Sequence, residues 1–343
     1  MKNKKYLFIL LSIFTLVLAA CSDTEAENEN EESEQGASAE SEVELVASTI
    51  NPSDHILTET LTAFADEIES QTDGEVSFTV HSGGTVGNAS SLYQSVISGD
   101  IDMIYTDTGW FVEHNPEFEL LGTTYLYEDQ EHFESIIHSD DGLEYFEDLL
   151  IESPGLKTLM YAGGNERNII STFPIETMSD LAGKQMRSGG SSTEMDWWNS
   201  LGASPQNIDL SEVYSAIQTG VVEGSQNSVN AMLAERFGEV TTHLNRTAHT
   251  IDLGFVVMNN ETYESLSDEH KSAIDEAASI VQEEYITKAF EQTESLVDEL
   301  VEEFDVTVVE PEKEEFMEIG EEQRAEIIEE HDIDEEILQQ FEK

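Results

Sequence analysis

From Val43 onward the chain alternates short β-patterned runs with amphipathic helical runs, and this rhythm restricts it to an α/β fold. "VELVAST" (43–49) reads as a strand. Leu57, Leu61, Phe64, Ala65 and Ile68 then recur at helical spacing over about 56–70. Asp73-Gly74 marks a turn, and "EVSFTVH" (75–81) alternates as a second strand. A Gly-rich loop, "SGGTVGN", leads into the helix "SSLYQSVISGD", closed by Gly99, and "IDMIYTDT" is a third strand. A βαβαβ order of this kind predicts a parallel sheet. A second such unit begins near Leu156 with the strand "LKTLMYAGG". It continues through a turn, short helix and strand in "MSDLAGKQMRS", a helix over 193–201 and the strand "ASPQNIDL". In "SEVYSAIQTGVVEGSQNSV" a helix, with Ser211 as its N-cap, precedes another strand. "HTIDLGFVVMNN" adds a further strand, entered from His249. Between Ser267 and Phe304 neither Gly nor Pro interrupts the helical pattern, which predicts one helix long enough to cross more than one domain. "DVTVVEP" is a late strand, and acidic helix follows from Glu312.

The N-terminus has a different character. Lys2, Lys4 and Lys5 precede an apolar run from Tyr6 to Val17, and Leu18-Ala19-Ala20 supplies small residues before Cys21, the single cysteine. That order is a secretory signal peptide over residues 1–20. Its ending on a lone cysteine resembles a bacterial lipoprotein lipobox, which implies cleavage before Cys21 and lipid (palmitate among the acyl groups) on that residue. Residues 22–42 hold nine acids, no cation and no large aliphatic or aromatic side chain, so a disordered acidic tether is expected over 21–42. Without Cys21 the body has no thiol, and so no disulfide and no cysteine-based metal site or nucleophile.

The chain carries 74 Asp and Glu against 14 Lys and Arg, a formal net charge of −60. Nucleic acid is excluded as a partner, since a phosphate backbone demands a basic face. The surface suits saline or alkaline surroundings. No phosphate loop, dinucleotide fingerprint, nucleophile elbow or His-Glu-x-x-His motif occurs. The nine histidines are scattered, and with so many acids no pair of carboxylates is diagnostic. Neither catalysis, a metal nor a cofactor is called for.

Several segments together resemble the extracytoplasmic solute-binding proteins of TRAP transporters, the DctP type. They are "INPSDHILTETLTAFADEIESQTDGEVSFTVHSGGTVGN", "LYQSVISGDIDMIYTDT", "MSDLAGKQMR", "LGASPQNIDLSEVYSAIQTGVVEGSQNSV" and "LSDEHKSAIDEAA". The resemblance covers most of the chain after residue 42. It implies a two-lobed, periplasmic-binding-protein-like α/β fold with an interlobe cleft and a long helix crossing both lobes. The lobes expected are 43–163 with 253–292 and 164–252 with 293–343. The implied role is capture of a small organic acid, C4-dicarboxylates among them, outside the cytoplasmic membrane and its delivery to small and large membrane subunits. A ligand-sensing lipoprotein serving a membrane sensor kinase is the alternative.

Carried over by residue, Arg187 in "GKQMR" is the carboxylate grip. The planar, permanently charged guanidinium donates two parallel N–H bonds to a carboxylate. Arg167 falls where a second cleft arginine stands, with an interlobe or surface salt bridge as the alternative, and Asn227 where an amide bonds ligand. Asp107 and Trp110 lie just beyond a strand end, where α/β sheets bind ligands. Tyr214 lines the cleft or packs beneath it. Of Trp197 and Trp198, one is core and one faces the cleft. Lys184 is a solvated neighbour, and Glu223 is structural. Trp110, standing where binders of large acidic sugars have a further arginine, argues against a sialic-acid-like ligand. Smaller monocarboxylates, dicarboxylates and zwitterions such as ectoine remain open.

Overall fold

The computed structural model describes residues 43–112, 115–137, 139, 149 and 155–333. The signal, Cys21 and the acidic tether expected from the sequence lie outside these residues.

The first helix forms where the periodicity places it. α1 (Ile56–Gln71) is capped by His55, whose side chain accepts the Leu57 N–H, and it buries Leu61, Phe64 and Ile68 completely. Full burial of each such side chain contributes about 1.5–3 kcal/mol. α2 (Ala89–Ser98) starts on Asn88, which accepts the Ser91 N–H, and ends on Gly99 in the left-handed conformation that only glycine adopts cheaply. Around these helices β1 (Val43–Ser48) pairs in parallel with β2 (Val76–His81) and β3 (Met103–Asp107).

A wholly parallel sheet is not what forms. β4 (Leu156–Ser171) and β8 (His243–Asn259) are long strands paired antiparallel to each other along their length. β3 joins β8 antiparallel, as β7 (Gly224–Ser228) joins β4. β5 (Gln185–Ser188) then pairs in parallel with β7 and with β6 (Ser204–Asn207). The result is one nine-stranded sheet ordered β2-β1-β3-β8-β4-β7-β5-β6, with β9 (Thr307–Val309) beside β8. Parallel units thus flank an antiparallel pair that runs through both halves of the protein.

The sequence reading ended the first of these strands at Gly164, but β4 continues to Ser171. The glycines there bend the strand instead of stopping it. Gly163 and Gly164 have φ of 151° and 88°, and the pairing register shifts between Gly163 and Glu166. A Cβ at Gly163 would run into the Asp252 carbonyl, and one at Gly164 would stand 3.0 Å from the Phe290 ring. Only glycine permits the bulge.

The expected single helix over 267–304 is also two. α9 (Asp268–Glu291) and α10 (Thr293–Phe304) meet at Gln292. The Thr293 hydroxyl donates to the Ala289 carbonyl at 3.3 Å, a side-chain bond of the kind that bends helices. Ser211 is not an N-cap either. It sits inside a short 3-10 turn over Leu210–Glu212 that starts from Asp209, ahead of the helix α6 (Val213–Gln218).

Apolar side chains gather in separate clusters. Two hold residues such as Phe111, Phe255, Phe64 and Val256. Two others hold Val213 and Phe237, and Trp197, Trp198 and Phe316. The fold is a two-lobed α/β architecture, with the long strands β4 and β8 as the shared element.

Candidate functional site

The C-terminal ends of the parallel strands converge on the middle of β4 and β8, where α/β sheets place ligands. Asp107, last in β3, pairs in register with Gly254, and Arg167 of β4 pairs with both Ser228 and Thr250. A cavity of ≈ 820 Å³ opens there, lined from β3, β4, β5, β7, β8 and the helix α5 (Ser192–Ser200).

Five of the six residues singled out from the sequence line this cavity: Asp107, Trp110, Arg167, Arg187 and Asn227. Tyr214 does not. It lies on α6, where its hydroxyl donates to Glu239 at 2.7 Å on the exposed surface. Trp197 lines the cavity, stacked on His249 with centroids 4.5 Å apart, while Trp198 is entirely core. Lys184 is more than a solvated neighbour. It bridges Glu223 at 2.8 Å and stands 4.0 Å over the Phe173 ring, and Glu223 also accepts from the Gln185 N–H.

Arg187 is 6% exposed. Its Nε donates to the Ile208 carbonyl at 2.8 Å, and no carboxylate forms an ion pair with it among the described residues. Burial and the neighbouring Arg167 charge push its pKa down, while Glu194, Asp209 and Asp107 oppose the fall. The two terminal nitrogens are therefore cationic donors without a paired anion among the described residues, in a chain dominated by acids.

Arg167 has the opposite arrangement. Its Nη1 pairs with Asp252 at 2.8 Å, and its Nε donates to Gln226 Oε1 at 2.5 Å. Burial works against the charge, but Asp252 and Glu194 more than offset it and raise the pKa. Gln226 continues the chain of bonds, its Nε2 donating to Glu194 Oε1 at 2.8 Å. On the other wall Asp107 accepts from the Tyr105 hydroxyl at 3.0 Å. Burial and the Asp252 charge raise the Asp107 pKa, partly countered by Arg167 and the Tyr105 bond. Asn227 accepts the Ser228 N–H with its carbonyl at 2.9 Å.

Two buried histidines border the site, both held neutral. His55 accepts at Nδ1 from the Leu57 N–H, which leaves Nε2 to carry the proton toward Ser228 Oγ, 3.4 Å away. Burial, with Arg167 nearby, lowers its pKa to about 3. The same causes lower His249 well below the usual histidine range.

Sequence reasoning missed Glu194, Gln226 and Asp252. Gln226 lies within "EGSQNSV", where adjacency to Asn227 was a usable signal. The two acids had none, because in this chain acids occur everywhere. Taken together, the site offers one unpaired guanidinium for an anion, surrounded by acceptors and carboxylates suited to hydroxyl groups.

The chain is similar to known proteins. The profile of the family described as bacterial extracellular solute-binding protein, family 7 (DctP), matches residues 47–331. A solute-binding protein of Sulfitobacter sp. (strain NAS-14.1) is 31% identical over 226 residues, 65% of this chain and 68% of that protein. The 2,3-diketo-L-gulonate-binding periplasmic protein YiaO of Escherichia coli (strain K12) is 28% identical over 65% of this chain and 66% of its own length. Among solved structures, a TRAP periplasmic solute-binding protein from Sulfitobacter sp. NAS-14.1 with bound α-D-taluronate superposes with a TM-score of 0.81 at 27% identity. It covers 88% of this chain and 98% of that one.

Proposed function

Because the chain belongs to bacterial extracellular solute-binding protein family 7, we propose that it captures a hydroxylated monocarboxylic acid, of the sugar-acid class, for a TRAP-type transporter. The observation that carries this reading is the charge pattern of the cavity. One buried guanidinium, Arg187, has no carboxylate paired to it among the described residues, and four acids, Asp107, Glu194, Asp209 and Asp252, line the same space. A single ligand carboxylate on Arg187 forms a charge-assisted bidentate bond. A second carboxylate would face like charges, which is unfavourable in a cavity of lowered dielectric. Hydroxyl groups find acceptors in those acids and in the Asn227 and Gln226 amides. Trp110 supplies an apolar surface for the carbon skeleton. The ligands named for the relatives, taluronate and 2,3-diketo-L-gulonate, have this composition of one carboxylate on an oxygen-rich chain. These ligands support a sugar acid over a C4-dicarboxylate.

Delivery to the small and large membrane subunits, and a lipid anchor on Cys21 facing outward from the membrane, complete the role. The anchor rests on the signal-peptide sequence alone; mass spectrometry showing an unmodified Cys21 in the mature protein would remove it. The ligand reading is tested by thermal shift with D-glucuronate, D-gluconate, succinate and ectoine, since a ligand that binds only the folded state raises its melting temperature. Sugar acids are expected to raise it and succinate to leave it unchanged. A shift with succinate or ectoine alone would sink the proposal.

A further inference from the structure

The side chain least accounted for by a simple arginine grip is Glu194. Its carboxylate is the strongest opposite charge acting on Arg187, yet the two form no ion pair. An acid beside a buried, otherwise unpaired guanidinium would ordinarily close onto it. Three N–H donors prevent that. The Gly189 N–H binds Glu194 Oε2 at 2.8 Å, while Gln226 Nε2 at 2.8 Å and Trp198 Nε1 at 3.4 Å bind Oε1. The backbone is held as well, because the Glu194 N–H caps the helix on Ser191 Oγ at 3.2 Å.

Gly189 spans the space between the two charges. A Cβ placed there would lie 3.4 Å from Glu194 Oε2 and 3.5 and 3.6 Å from the two terminal nitrogens of Arg187. A fixed carboxylate and a fixed guanidinium therefore stand on either side of a gap narrow enough for one carbon substituent to touch both. All three residues line the cavity. A 2-hydroxy carboxylate is complementary to such a gap, since its two functional groups are one carbon apart. Among the described residues Oε2 accepts only the Gly189 N–H, and it keeps further acceptor capacity.

We infer that Glu194 is a specificity-determining residue: with the ligand carboxylate on Arg187, Glu194 Oε2 accepts the hydroxyl on the adjacent carbon. A carboxylate cannot donate, so this position rewards a hydroxyl, leaves a charged acceptor one bond short when the hydroxyl is missing, and repels an acid group on that same carbon. Sites built to bond a substrate hydroxyl reject its deoxy analogue far more strongly than apolar pockets discriminate by size. This inference rests on Arg187 being the carboxylate grip, and the experiment separates the two.

The full-length chain is titrated by calorimetry with D-gluconate and 2-deoxy-D-gluconate, in wild type and in Glu194→Gln, Gly189→Ala and Arg187→Met. Wild type is expected to prefer gluconate to its 2-deoxy analogue by roughly tenfold or more, the worth of a hydrogen bond to a charged acceptor. Glu194→Gln should collapse that preference while still binding. Gly189→Ala, which fills the gap and keeps every charge, should weaken gluconate by at least tenfold. A uniform fall for both acids in Glu194→Gln, with the preference intact, means that Glu194 merely holds the Gly189 turn and overturns the inference. So does gluconate affinity unchanged in Gly189→Ala, should Glu194→Gln fail to fold. If Arg187→Met abolishes binding while the preference survives Glu194→Gln, the grip stands and the role of Glu194 falls. If wild type binds neither acid, both fall.

Discussion

Replacing Arg187 by methionine separates the binding role of this side chain from its structural cost. In the ligand-free protein the guanidinium is 6% exposed, makes one bond, from Nε to the Ile208 carbonyl, and pairs with no carboxylate among the described residues. Burial lowers its pKa, which means that folding works against the charge. Methionine removes that desolvation cost and fills similar space. The one bond lost has a charged donor and is worth about 1.5–3 kcal/mol. Exchanging an unfavourably buried charge for a packed apolar side chain returns a comparable amount. Ligand-free stability by urea unfolding should therefore stay within about 1 kcal/mol of wild type, or rise. Binding behaves differently. Truncating one partner of a buried charge pair costs about 2–5 kcal/mol, so affinity should fall by roughly 30-fold or more. At a ligand concentration of about 100 times the wild-type Kd, ligand stabilises wild type by about 2.7 kcal/mol and the variant by less than about 1 kcal/mol. Thermal denaturation with and without the best sugar acid from the panel reads both quantities. An undiminished ligand shift in Arg187→Met refutes the grip. A ligand-free loss beyond about 3 kcal/mol, the scale of a broken buried ion pair, would show that the charge is a net structural element and refute the reasoning from its unpaired state.

Two further outcomes follow from the same network. Asp252→Asn strips Arg167 of its ion pair while leaving the Gln226 bond, and should destabilise the ligand-free protein by about 3–5 kcal/mol in urea unfolding; a loss under about 1 kcal/mol would mean that water or Asp107 takes over the charge. His55 is neutral in the fold because burial lowers its pKa to about 3, so as pH falls through the ordinary histidine range the unfolded chain takes up the proton first. Stability from this group is complete above about pH 6.5 and drains by roughly 1.4 kcal/mol per pH unit until about pH 3. His55→Asn retains a side-chain acceptor for the Leu57 N–H and should flatten the wild-type slope across that window; equal slopes in the two proteins would contradict the assignment.

What a local pattern encodes is legible in the order of residues. The helical spacing from Leu57 to Ile68 and the left-handed stop at Gly99 are properties of a few neighbouring residues, and each element lies where its pattern lies. Arg187, Arg167, Asp107, Trp110 and Asn227 stand out by the motifs around them, and all five line one cavity. Tyr214 fails because the motif fixes its helix but not which way that helix faces, and Glu239 holds its hydroxyl on the outside.

The rest is decided only by tertiary structure. Gly163 and Gly164 read as the end of a strand, since glycine usually punctuates one. Antiparallel pairing with β8 carries the strand through them as a bulge, and that pairing joins residues far apart in the chain, such as Gly163 and Leu253. A parallel order was expected because βαβ rhythm reports only adjacent units, whereas β8 returns from far along the chain to lie between β3 and β4. Glu194 and Asp252 look in sequence like any of the 74 acids. Their distinction is spatial: one is tied down by three N–H donors beside Arg187, and the other is paired with Arg167. Sequence alone picked out Arg187 by the motif around it. Folding settled which carboxylates surround it, because charge selectivity depends on distances between residues that no local period records.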